Sequence, residues 1–86
     1  MTLKELIQSI SNDIEITESF SETVFGMNID YVSFKIGNRY HLVSHSSKGY
    51  IYILTEQTPD GSISSREIFD EIGLIEYIKK LLILEN

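Results

Sequence analysis

The sequence predicts an α+β fold in which an N-terminal helix, three or four antiparallel strands and a C-terminal helix or helix pair follow one another. Three observations carry this. Apolar residues recur at i, i+3, i+4 and i+7 near the start; the middle of the chain alternates with a period of two between turn dipeptides; and helical spacing returns at the end. With 86 residues, 42% apolar and 23% charged, the composition is globular, and residues 1–86 are expected to form a single domain.

Thr2-Leu3-Lys4-Glu5 has the spacing of a capping box, in which Thr2 bonds the amide of Glu5 and Glu5 reaches back. Leu3, Leu6, Ile7 and Ile10 then form the apolar stripe of a helix over roughly Thr2–Ser11. Ser11-Asn12-Asp13 ends it, because these side chains compete for backbone hydrogen bonds. From Asp13 the period drops to two, and Ile14 and Ile16 alternate with Glu15 and Thr17 as in a short strand. Phe20, Val24, Phe25 and Met27 follow without a clear period. Ile29–Ile36 is the clearest strand, with Val32, Phe34 and Ile36 on one face and Tyr31, Ser33 and Lys35 on the other. Gly37-Asn38 makes a two-residue hairpin loop, since glycine accepts positive φ freely and asparagine better than most residues. Arg39–His45 returns antiparallel, with Tyr40 and Leu42 opposite His41, Val43 and His45. Tyr50–Thr55 is the next strand, and Thr58-Pro59-Asp60-Gly61-Ser62 is a tight loop. Ser64-Ser65-Arg66-Glu67 repeats the capping-box spacing and is expected to open the C-terminal helical region, which Gly73 either splits or weakens.

Function classes narrow by exclusion. There is no cysteine, hence no disulfide, thiolate nucleophile or zinc–thiolate site. No apolar run approaches the eighteen or so residues of a membrane span, so a cytoplasmic location is expected and no membrane partner. His41 and His45 are the only histidines. On one face of a strand their Cα atoms would stand roughly 13 Å apart, too far for one metal ion, so the expected reading is solvent-facing or half-buried sheet histidines and no metal site. No serine sits in a Gly-x-Ser-x-Gly elbow and no glycine-rich phosphate loop follows a strand. No catalytic residue and no cofactor are expected, and the chain reads as non-enzymatic.

Tyr31, Tyr40, Tyr50 and Tyr52 all fall on predicted strands; cross-strand packing accounts for them, and a protein-binding face is the sharper alternative. Thirteen acids against seven bases give a net charge of −6, which opposes direct nucleic-acid binding. The acids are unevenly placed. Asp13, Glu15, Glu18, Glu22 and Asp30 occupy a stretch with no Lys or Arg, and Glu56, Asp60, Glu67, Asp70, Glu71 and Glu76 form a second cluster interrupted only by Arg66. On the predicted helix Glu67 and Glu71 are an i, i+4 like-charge pair that folding does not ask for. A solvated face that keeps a small protein soluble is one reading; an acidic surface that meets a basic partner is the other.

The element order, the acidity, Leu6-Ile7-x-x-Ile10, Asp13 leading into a strand, and Gly37-Asn38-Arg39-Tyr40 running into Val43-Ser44 resemble the small phage-encoded anti-CRISPR proteins that inhibit the type II-A effector nuclease. The likeness lies mainly over residues 1–45. Arg39 stands in the hairpin where the family pattern has an acid. The resemblance implies a DNA mimic: carboxylates and a hairpin occupying the basic cleft in which the guide-RNA-loaded nuclease reads the motif beside its target. It implies partner-binding roles for Asp13, Gly37, Asn38 and Tyr40 and, more loosely, for Glu67, Asp70 and Glu71. The expected partner is then a basic nucleic-acid-binding protein, with the chain itself monomeric or homodimeric. The alternatives are an intracellular immunity or antitoxin-like protein that binds a toxin, and a small homo-oligomeric accessory domain.

Overall fold

Period-two structure extends further through the chain than its apolar pattern announces. The computed structural model describes residues 1–49, 51–58 and 60–85. In order they form α1 (Leu3–Ile10), β1 (Glu15–Val24), β2 (Met27–Ile36), β3 (Arg39–Ser46), β4 (Tyr52–Gln57), β5 (Ile63–Ile68) and α2 (Glu71–Glu85). The α+β class stands, but the sheet has five strands in the meander order β1-β2-β3-β4-β5, all antiparallel, where three or four were expected. Tyr50, with which the sequence reading begins the fourth strand, and Pro59 lie outside the described residues.

The capping box at Thr2 and Glu5 forms, with reciprocal bonds of 3.0 and 3.1 Å, and Ser11 ends α1. The Thr2 backbone amide and hydroxyl hold the Glu5 carboxyl below its ordinary pKa. Ile14 leads into β1, whose first half is the short strand read from the alternation at residues 14–17. A bulge between Ile16 and Glu18 leaves Thr17 as the extra residue, and from Glu18 the register with β2 runs unbroken to Val24↔Met27.

The β1–β2 loop is Phe25-Gly26, with φ of 50° and 76°. A two-residue loop with both residues at positive φ is normally Asn-Gly, because a bulky L-residue is strained there. Phe25→Asn is therefore expected to raise unfolding stability by about 1 kcal/mol, read as a higher urea midpoint. In the β2–β3 loop Gly37 takes a φ of 59° while Asn38 stays negative, the combination of a type II′ hairpin.

The largest departure from the sequence reading is at residues 63–68. Ser64-Ser65-Arg66-Glu67 does not start a helix; it is the middle of β5, paired in register from Gln57↔Ile63 to Tyr52↔Ile68. The loop before it folds residues 63–68 back alongside β4, where Thr58 and Ser62 both bond the Asp60 carboxylate and hold its pKa down to about 2. The backbone groups then find ladder partners on β4, which two adjacent serines in a helix interior would not better. α2 begins only at Glu71, after Asp70 accepts from the Gly73 amide at 2.7 Å and from the Leu74 amide through its own carbonyl. Gly73 does not split the helix. It lies in the first turn, where a Cβ would stand 2.9 Å from Asp70 Oδ1.

Both helices pack on one face of the sheet. The three rows of that face that cross all five strands are Ile16–Phe34–His41–Glu56–Ser64, Ser19–Val32–Val43–Leu54–Arg66, and Ser21–Asp30–His45–Tyr52–Ile68. Leu3, Leu6 and Ile7 of α1 and Leu74, Ile78 and Leu81 of α2 close over Val32, Phe34, Ile36, Val43 and Leu54 to make the core. The far half of β1 contributes almost nothing apolar to it. Ser19, Ser21 and Thr23 occupy its core-side positions and are exposed, with Ser21 bonding Asp30 and Thr23 bonding Asn28 across the ladder.

His41 is on the covered face and only 2% exposed, not solvent-facing: its ring stacks on Phe34 at 5.3 Å, and Nδ1 stands 3.5 Å from Glu56 Oε2. His45 is half-buried and stacks on Tyr52 at 4.2 Å. Burial, with the Glu71 carboxylate adding to it, pushes the Tyr52 hydroxyl above its ordinary pKa.

Candidate functional site

The face of the sheet opposite the helices has no covering layer among the described residues, and its composition follows from the register. Its rows are Glu15–Lys35–Tyr40, Glu18–Ser33–Leu42–Thr55–Ser65, Phe20–Tyr31–Ser44–Ile53–Glu67, and Glu22–Ile29–Ser46. Three carboxylates stand along β1 and one on β5, the opposite edge, on the order of 19 Å away across four strand spacings.

Among the described residues Lys35 is the one cation on this face, and its ammonium lies over the Tyr40 ring, 5.6 Å from the centroid. The other bases are elsewhere. Lys4, Lys79 and Lys80 are on the helices, Arg39 and Arg66 belong to the covered face, where Arg66 lies over the Tyr77 ring, and Lys48 is in the turn after β3. No lysine or arginine among the described residues stands within ion-pair distance of Glu15, Glu18 or Glu22. The helical layer thus carries charge of both signs, whereas the open face is negative.

Across the sheet from β1 to β5 runs a shallow groove of about 300 Å³, floored by Ser33, Leu42 and Thr55 and flanked by Glu18, Tyr40 and Ile63. Above it the Phe20 and Tyr31 rings stack at 4.8 Å, and the Tyr31 hydroxyl donates to Glu22 Oε1 at 3.0 Å. That bond, with partial burial, raises the Tyr31 pKa. In the middle of this face Tyr31, Leu42 and Ile53 alternate with the hydroxyl groups of Ser33, Ser44 and Thr55, and the carboxylates stand at its margins.

The residues singled out from the sequence are not brought together. Asp13, in the α1–β1 turn, and Gly37 and Asn38, in the β2–β3 loop, lie at one end of the sheet. Glu67, Asp70 and Glu71 lie at the other end, on and after the far edge strand. Of the seven, Tyr40 and Glu67 are on the open face. The expected helical pairing of Glu67 with Glu71 does not exist, because the two belong to a strand and a helix. Glu71 shares a hollow on the helical side with Thr2, Asp30, His45 and Tyr52.

Asp70 has a structural task as the cap of α2, so Asp70→Ala is expected to cost about 1 kcal/mol of stability in urea unfolding. Of the tyrosines, Tyr31 and Tyr40 share the open face, as the alternation suggested for part of the set, whereas Tyr52 is on the covered one. Glu15, Glu18 and Glu22 belong to the acidic stretch of the sequence but not to the partner-binding residues that the resemblance implies. The missing signal was the strand itself: alternation of Glu18, Phe20 and Glu22 against Ser19, Ser21 and Thr23 is visible only once apolarity is dropped as the criterion.

Among the described residues no group of three or more His, Cys, Asp or Glu is disposed to hold a metal ion, and no helix is long and apolar enough to cross a membrane. No family model, curated protein or solved structure matches the chain.

Proposed function

We propose that this chain is a non-enzymatic inhibitor that lays the open, carboxylate-bearing face of its sheet into the basic nucleic-acid-binding cleft of a partner protein, in the manner of a DNA mimic. The observation that carries this reading is the segregation of charge between the two faces. Glu15, Glu18, Glu22 and Glu67 stand on the open face, and its one lysine among the described residues is drawn to Tyr40. Carboxylate oxygens replace phosphate or guanine oxygens as acceptors for arginine, with bidentate geometry. In its most specific form the partner is a type II CRISPR nuclease loaded with guide RNA, whose arginines read the motif beside the target. The mechanism is steric occlusion, with no bond made or broken. Because charge steers and holds the complex, affinity falls as salt rises.

The test is DNA cleavage by the guide-loaded nuclease, titrated with this protein at low and moderate salt. Inhibition near one equivalent, weakening with salt, is the expected result. Undiminished DNA binding and cleavage in molar excess of the protein would overturn the nuclease assignment.

A further inference from the structure

The sheet order leaves β1 with a single neighbouring strand, so every second backbone N–H and C=O along its outer side faces away from β2. Natural edges are commonly blunted by short length, charged side chains (lysine above all), proline or a bulge. This one is ten residues long with neither lysine nor proline, and its charges are all carboxylates, at Glu15, Glu18 and Glu22, which repel an anionic strand and admit a cationic one. Its bulge at Thr17 disturbs one end only, and Glu18–Val24 keep continuous register with β2. On the open side the edge shows Glu18, Phe20 and Glu22 at intervals of about 6.7 Å. On the other side it shows Ser19, Ser21 and Thr23, which are small enough to let another backbone approach to ladder distance.

We infer that the Glu18–Val24 edge is a strand-addition site that takes an extended cationic segment of the partner protein. The inference rests on the reading above that the partner is basic, and it names the part of the partner that is held. Main-chain bonds to β1 align the segment. Lysines or arginines at its alternate positions meet Glu18 and Glu22, with Phe20 between them under the aliphatic stems. Charge decides against a second copy of this chain as the occupant. Two β1 edges paired about Phe20 set Glu18 opposite Glu22 on both sides, and like charges directly opposite oppose pairing; each copy also has a net charge of −6. Phe25, 96% exposed at positive φ, adds a second observation. An aromatic side chain at the hairpin tip that buries almost nothing within its own chain is placed to close over the end of an incoming strand.

The experiment uses the full chain and a ten-residue peptide of alternating lysine and threonine, at low ionic strength, with three comparison peptides. One has glutamate in place of lysine; the other two are the lysine peptide N-methylated at all lysines or at all threonines. Strand addition makes one N-methylated peptide bind at least tenfold more weakly than the other, because only one set of amides faces β1. It also slows amide hydrogen exchange at least tenfold within residues 18–24, and the glutamate peptide does not bind. Equal binding of the two N-methylated peptides, or absence of lysine-peptide binding, overturns the inference. Chemical-shift changes confined to Ser33, Tyr40, Leu42 and Thr55 overturn it as well, but leave the acidic-face reading in place. The nuclease titration tests that reading separately.

Discussion

Phe34→Ala should leave this chain at the margin of folding. Phe34 is fully buried at the middle of the covered face, between Ile16 and His41 in its transverse row and stacked on the His41 ring. Removing a buried phenylalanine side chain costs about 3–5 kcal/mol, since the transfer energy is lost and the surrounding wall collapses only in part. A chain of 86 residues holds on the order of 4–13 kcal/mol in total. Two thin helices over a single sheet offer little that can move inward to fill the void. Urea unfolding followed by circular dichroism should therefore show the midpoint falling by about a quarter or more, with a sloping native baseline at the lower end of that stability range. A loss below about 1.5 kcal/mol would mean that the core repacks freely and that Phe34 is not its centre.

The second large effect is on binding. Glu15→Lys, Glu18→Lys and Glu22→Lys together turn the acidic edge of the open face basic, so each site loses an attraction and gains a repulsion. At about 1.4 kcal/mol per site, a tenfold change each, the triple variant should inhibit about a thousandfold more weakly in the nuclease titration. Glu76→Lys, on the exposed side of α2, changes charge without touching the face and should alter inhibition less than threefold. The three substitutions sit at exposed strand positions, so thermal unfolding should move by only a few degrees and binding loss can be separated from unfolding. If the triple variant inhibits as well as the parent, the open face is not the contact surface, and the cluster around Glu67, Asp70 and Glu71 becomes the next to reverse.

These expectations draw unequally on sequence and structure. The first helix was legible to the residue at its cap, because a capping box and an apolar stripe are both local. Strands β2 and β3, and the loop between them, were legible because each alternates apolar with polar residues around a glycine turn. The inward-facing Val32, Phe34 and Ile36 are one face of the β2 alternation, whereas in β3 the alternation groups Val43 with His41 and His45 and leaves open that this is the covered face. β5 was misread because Ser64-Ser65-Arg66-Glu67 carries a capping-box spacing while its strand character depends on β4 being there to pair with. The far half of β1 was unreadable for a related reason. Both of its faces are polar or exposed, so no apolar period marks it, and only the ladder with β2 holds it straight.

Legible in the residues alone are the acidity of the chain and the local signals that start and stop α1 and turn β2 into β3; the core face of α2 is not, since Phe69 and Ile72 of the apolar stripe are exposed while Leu74 and Leu81 are buried. The legible properties arise between residues a few positions apart, where periodicity and side-chain chemistry act directly. Tertiary structure alone decided that Glu15, Glu18 and Glu22 share a face with Glu67 and not with Asp70 and Glu71. Which carboxylates are neighbours depends on strand register across a five-stranded meander, and register is set by pairing between segments that the sequence does not list side by side.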